Sequence, residues 1–136
     1  MIQRIQSIWL VIATACVFLT YKLPFYIGTN DKGNVTYELN ANENIFIMLL
    51  TLLAGILTIV TLFLFKQRPL QLKLCVLGIL LEAILIFLYY RKVQTFSAGS
   101  YALWALLHSV IVICFMLAAK AINKDEKLIK DSDRLR

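Results

Sequence analysis

The sequence predicts an all-α membrane protein with four transmembrane helices. Three features carry that reading: an apolar fraction too large for so short a chain, charges gathered into blocks, and four apolar runs of bilayer-spanning length. The chain has 136 residues, of which 60% are hydrophobic and 16% charged, and its mean hydropathy is +0.77. A soluble domain of this size has too much surface for its volume to hide that much apolar area. A bilayer solvates it instead.

The first run covers residues 5–21 and stops at Lys22-Leu23-Pro24. The second covers 45–65 and is closed by Lys66-Gln67-Arg68-Pro69. The third covers 70–90, with Lys73 near its start and Arg91-Lys92 at its end, and the fourth covers 100–119, closed by Lys120. Each is near the roughly 20 residues that span a hydrocarbon core. Without water there, only a helix satisfies its own backbone groups. The first run is expected to remain a span. Ala13-Thr14-Ala15-Cys16 faintly resembles a lipoprotein processing site, but Val17-Phe18-Leu19 continues the apolar run where a cleaved signal turns polar.

Basic residues set the expected orientation. Arg4, Lys66, Arg68, Lys73 and the six of the tail make ten on one side, against Lys22, Lys32, Arg91 and Lys92 on the other. Ten against four places both termini in the cytoplasm. Tyr21, Tyr26, Tyr89, Tyr90 and Tyr101 then gather at the outer boundary as an aromatic belt. The net charge of +6 is the sum of these anchors, so the expected partner is the lipid bilayer and not nucleic acid. Cys16, Cys75 and Cys114 all fall inside apolar runs. They read as small core residues, neither a disulfide framework nor a zinc site.

One loop is long, residues 22–44. It holds Phe25-Tyr26-Ile27-Gly28-Thr29 and Val35-Thr36-Tyr37-Glu38-Leu39 around the turn-forming cluster Asn30-Asp31-Lys32-Gly33-Asn34, which predicts a short β-hairpin. Two strands alone are marginal in water, so the hairpin is expected to lie over the helix ends. Asn42 or Asn44 is placed to cap the second helix. The connection 91–99 reads as too short to be a module.

The tail, residues 120–136, reads as a cytoplasmic helix continuing the fourth span. Ala121, Ile122, Leu128, Ile129 and Leu135 share one side, with Lys127, Lys130 and Arg134 opposite. Asp125, Glu126, Asp131 and Asp133 are interleaved, so the segment is no pure polybasic lipid binder. It is expected either to rest near the headgroups or to dock on a partner through Ile122, Leu128, Ile129 and Leu135.

Both ends carry a resemblance. The opening Met1-Ile2-Gln3-Arg4-Ile5-Gln6 and the ending Lys124-Asp125-Glu126-Lys127-Leu128-Ile129-Lys130-Asp131-Ser132-Asp133-Arg134-Leu135-Arg136 resemble those of a family of small four-helix membrane proteins from Bacteroidota, labelled a domain of unknown function. The resemblance implies a bacterial inner membrane with periplasmic outer loops. It brings no catalytic residues. It draws attention to the tail, whose pattern exceeds what lipid contact demands.

Glu82 is the most informative residue. It stands mid-span in Leu77-Gly78-Ile79-Leu80-Leu81-Glu82-Ala83-Ile84-Leu85, where a carboxylate costs about 3 kcal/mol on insertion scales and should face the interior. Cys75, Gly78, Glu82 and Tyr89 share its helix face. His108, the sole histidine, lies in the next span. Counting about eight residues from each predicted helix end puts both about 12 Å beneath the outer boundary. The short connection makes the two helices antiparallel neighbours, so a Glu82–His108 pair is expected. It serves either as interhelical glue or as a proton or cation site, since both side chains can carry a proton. Ser7, Thr14, Thr51, Thr58, Thr61 and Ser109 read as helix–helix contacts, and the small pairs Thr51/Gly55 and Ala54/Thr58 as close packing.

There is no glycine-rich phosphate loop, metal cluster, nucleophile set or cysteine pair near the outer face, so neither an enzyme nor a cofactor is expected. The reading that follows is a small accessory or scaffold subunit contacting a partner through its tail. The rival is a small oligomeric proton- or cation-coupled transporter using Glu82. It resembles small multidrug transporters in size and in its membrane glutamate, but here the glutamate lies in the third helix and not the first.

The orientation is open to direct measurement. Cysteines introduced by Lys32→Cys and Thr95→Cys should react with a membrane-impermeant thiol reagent in spheroplasts, and Gln67→Cys only after lysis. The reverse labelling pattern overturns the orientation.

Overall fold

The computed structural model describes residues 3–30 and 36–134. Helix α1 (Gln3–Lys22) leads into strands β1 (Tyr26–Asn30) and β2 (Tyr37–Leu39), and a 3-10 turn (Ala41–Glu43) precedes α2 (Ile45–Phe63). A tight turn passes to α3 (Arg68–Val93), followed by strand β3 (Phe96–Tyr101), a second 3-10 turn (Leu103–Ala105) and α4 (Leu106–Arg134). All four helices are long and apolar enough to cross a membrane. Leu49, Leu53, Leu80, Ile84 and Ile113 cover the outside, as a hydrocarbon solvent permits.

The helices pack in ring order, each against its sequence neighbours and α4 back against α1. This is an up-and-down bundle. Inward residues recur every three or four positions: Gln6, Leu10, Ala13, Val17 and Thr20 on α1, and His108, Ile111, Phe115, Ala118, Ile122 and Asp125 on α4. At Gly78 the approach of α3 to α4 is so close that a Cβ would stand within 2.9 Å of the Phe115 ring. Asn44 caps α2 by accepting from Phe46 N–H at 3.0 Å, and Pro69 sits in the first turn of α3, where its missing N–H is harmless.

The threonines do not bridge helices through their hydroxyls. Thr14, Thr51, Thr58 and Thr61 each donate to a carbonyl three or four residues back in their own helix. That is the nearest acceptor when no water is present. The crossing bond comes from Gln71 instead, whose Nε2 donates to the Thr61 carbonyl at 3.1 Å.

At one end of the bundle lies a three-stranded antiparallel sheet of order β2-β1-β3. The hairpin pairing is present, Tyr26 opposite Leu39 and Gly28 opposite Tyr37, while its turn residues 31–35, including Lys32, lie outside the described residues. The connection after α3, read above as too short to form anything, supplies the third strand. Two boundaries move with it: α3 runs on to Val93, and α4 starts at Leu106 and not at residue 100. The pairing answers the stability problem of an isolated hairpin. Here β1 is satisfied along both edges.

Gly28 stands opposite Gly99 across β1 and β3. A Cβ on either would meet backbone atoms of the other strand, and the Tyr26 ring lies over both, 2.9 and 2.7 Å from the two Cβ positions. The ring covers backbone that glycine would leave bare. Gly99→Val should therefore lower the melting temperature of the purified protein in detergent, by a loss of about 1–3 kcal/mol. Ala98→Val, next along the same exposed strand, should leave it nearly unchanged.

Candidate functional site

Facing residues of α3 and α4 build the site beneath the sheet. The inward face of α3 carries Cys75, Gly78, Glu82, Leu85 and Tyr89. Glu82 is 1% exposed and His108 3%, and His108 Nδ1 lies 2.9 Å from Glu82 Oε2. One proton joins them: an imidazole N–H donates to the carboxylate, or a carboxylic O–H donates to the ring nitrogen. The two residues are not equally distant from their helix ends. Glu82 lies eleven residues before Val93 and His108 two after Leu106, and the 3-10 turn with β3 takes up the difference.

Aromatic rings wall the pair. Phe25 stacks on Tyr89 with centroids 4.5 Å apart and meets the His108 ring edge-on at 5.6 Å. Tyr89 lies 5.2 Å from His108. Phe25 is held on both sides by backbone: its N–H donates to Leu39 O at 2.9 Å, and its carbonyl accepts from Ala102 N–H at 3.0 Å. The sheet thus fixes the ring that covers the pair. Chemically, the arrangement can retain or exchange a single proton in an apolar enclosure.

A second polar layer lies at the opposite end, where the chain termini are. It takes one residue from each helix: Gln6, Thr61, Gln71 and Asp125, all buried. Cys16 of α1 and Cys114 of α4 lie near each other in the core. Ten residues further along each antiparallel helix come Gln6 and Lys124, so Gln6 and Asp125 share a level. Both amide atoms of Gln6, Gln71 Oε1 and both carboxylate oxygens of Asp125 have no hydrogen-bond partner among the described residues. Sequence reasoning missed this layer because Gln6, Gln71 and Asp125 stand where apolar runs give way to polar sequence, and there a polar residue reads as solvated. Their shared inward phase on α1 and α4 was the available signal.

The tail residues divide. Leu128 and Ile129 are 48% and 43% exposed. Ile122 is fully buried in the bundle core, so it is withdrawn from any outward contact surface. It continues the inward row of Ile111, Phe115 and Ala118. Leu135 lies outside the described residues. The three cysteines are buried and free. Among the described residues no group of three or more His, Cys, Asp or Glu is placed to hold a metal ion.

Four apolar helices, a sheet across one end and a sealed acid–imidazole pair define a small membrane protein of the four-helix class. The chain belongs to the family described as Domain of unknown function (DUF4293), which matches residues 2–135. No curated protein and no solved structure matches it.

If the pair locks α3 to α4, Glu82→Leu or His108→Leu alone should cost about 3–5 kcal/mol, because each strands a buried polar partner. Thermal unfolding of the double variant should recover much of that loss. Single variants as stable as wild type overturn the lock.

Proposed function

We propose that this chain is a non-enzymatic accessory or scaffold subunit of a bacterial inner membrane, with both termini cytoplasmic, which contacts a protein partner through the end of α4. The observation that carries this reading is the length and surface of that helix. Its 29 residues extend about 44 Å, against a hydrocarbon core of about 30 Å. Its last turns therefore project past the bundle with Leu128 and Ile129 uncovered. Burying two such side chains is worth about 1.5–3 kcal/mol each, whereas exposed ion pairs such as Lys130–Glu126 at 2.8 Å contribute little.

A second reading is favoured by the Glu82–His108 contact itself: an oligomeric proton- or cation-coupled transporter in which the pair takes up and releases the coupling ion. The Phe25 and Tyr89 rings stand over the pair, so exchange in that reading requires the sheet end to open. Stable Glu82→Gln and His108→Gln variants that lose function in cells would favour it.

The docking reading is tested through α4. Leu128→Asp with Ile129→Asp should leave membrane insertion intact, since the spans are untouched. Co-purification of a stoichiometric partner in mild detergent should be abolished. Lys130→Gln should have a far milder effect. Partner recovery unchanged by the double substitution removes the support for docking.

A further inference from the structure

The first two acids of the tail, Asp125 and Glu126, do not share the face of its first lysines. Asp125 is turned into the bundle and is 5% exposed, and Glu126 is engaged by Lys130 at 2.8 Å. What remains on the outward face is Lys120, Asn123, Lys124 and Lys127, which line a groove of about 290 Å³ with no carboxylate among them. The next acid on that face is Asp131, one turn beyond Lys127.

The same face runs unbroken into the apolar exterior. Ile113 and Met116, both 49% exposed, lie on the line of Lys120 and Lys124 at helical spacing, opposite to Ile111, Phe115, Ala118 and Ile122, which fill the core. At 1.5 Å per residue, Met116 stands about 6 Å on the apolar side of Lys120, and Lys124 about 6 Å on the other. That interval matches the headgroup layer, roughly 5–7 Å on each side of the hydrocarbon core. Lys120 follows directly on the apolar run, and its stem can carry the ammonium to the boundary. Apolar contact above and three ammonium groups around one groove form a complement to a molecule with acyl chains and an anionic phosphate.

We propose that this groove is a binding site for an anionic phospholipid, its phosphate held by Lys120, Lys124 and Lys127 and its acyl chain laid along Ile113 and Met116. A free phosphate would use only the lysines, and the apolar row selects the lipid. Ile129 lies on the far side of α4, and Leu128 follows Lys124 one turn further along, so the lipid groove and the docking surface adjoin at Leu128.

The test uses the full chain in nanodiscs containing phosphatidylglycerol and phosphatidylcholine, released into native mass spectrometry. Wild type should retain phosphatidylglycerol in preference to phosphatidylcholine. The preference should fall by about fivefold for each lysine changed to Gln, in keeping with the surface attraction of one basic side chain. Lys→Arg at all three positions should preserve it, and Lys66→Gln with Arg68→Gln, which removes basic charge elsewhere at the same end, should leave it intact. Equal retention of the two lipids by wild type overturns the proposal. So does an unchanged preference in the triple Gln variant, or an equal loss in the Lys66/Arg68 control, which would reduce the effect to net charge. Displacement of the lipid by inorganic phosphate would also overturn it, since the acyl contacts would then count for nothing.

Discussion

Within hydrocarbon, a polar group can be satisfied only by the protein itself, and most of this structure follows from that constraint. Threonine hydroxyls fold back onto carbonyls of their own helices. The Gln71 amide reaches across to the Thr61 carbonyl of the neighbouring helix. Glu82, the acid deepest in an apolar run, faces the sole imidazole of the chain. Because partners must be internal, each such bond also fixes which helix faces meet.

The two ends of the bundle solve the same problem differently. At the sheet end, two connections merge into one layer because β1 shares its edges between β2 and β3. That layer positions Phe25 over the buried pair. At the opposite end no sheet forms among the described residues. The bundle instead closes on a layer of polar side chains, several of whose atoms lack partners among the described residues. Beyond that layer α4 alone continues, and its faces separate: an inward acid at Asp125, an outward lysine groove, and exposed Leu128 and Ile129.

Hydropathy made the four spans legible, and the turn chemistry of residues 30–34 made the hairpin legible, because both are local signals. The cap at Asn44 was visible for the same reason, as one of two candidates. Strand β3 was not, since Ser97, Ala98, Gly99 and Ser100 have little strand preference of their own and are recruited by the open edge of β1. Depth counting brought Glu82 and His108 together although both assumed helix ends were displaced. Removing α3 residues 91–93 and adding residues 100–105 to α4 made errors whose sum the 3-10 turn absorbs. Ile122 was placed outward because its apolar character fits either side of a tail helix. Only the path of α4 along α1 decides that it faces the core. The Asp125 carboxylate was misplaced for the converse reason, as charge was taken for exposure.

The Glu82–His108 bond joins residues 26 apart in sequence, and on a ribosome that separation is also a delay. At roughly 5–20 residues per second, the imidazole is made about 1–5 s after the carboxylate. Glu82 therefore emerges from the ribosome ahead of its partner by the same interval. Ala102, which holds one side of the covering Phe25 ring, also emerges later. Arrival of the segment after α3 supplies the histidine, the third strand and the Ala102 anchor of the covering ring together. A chain interrupted before that point holds an unmatched acid and a hairpin with one open edge.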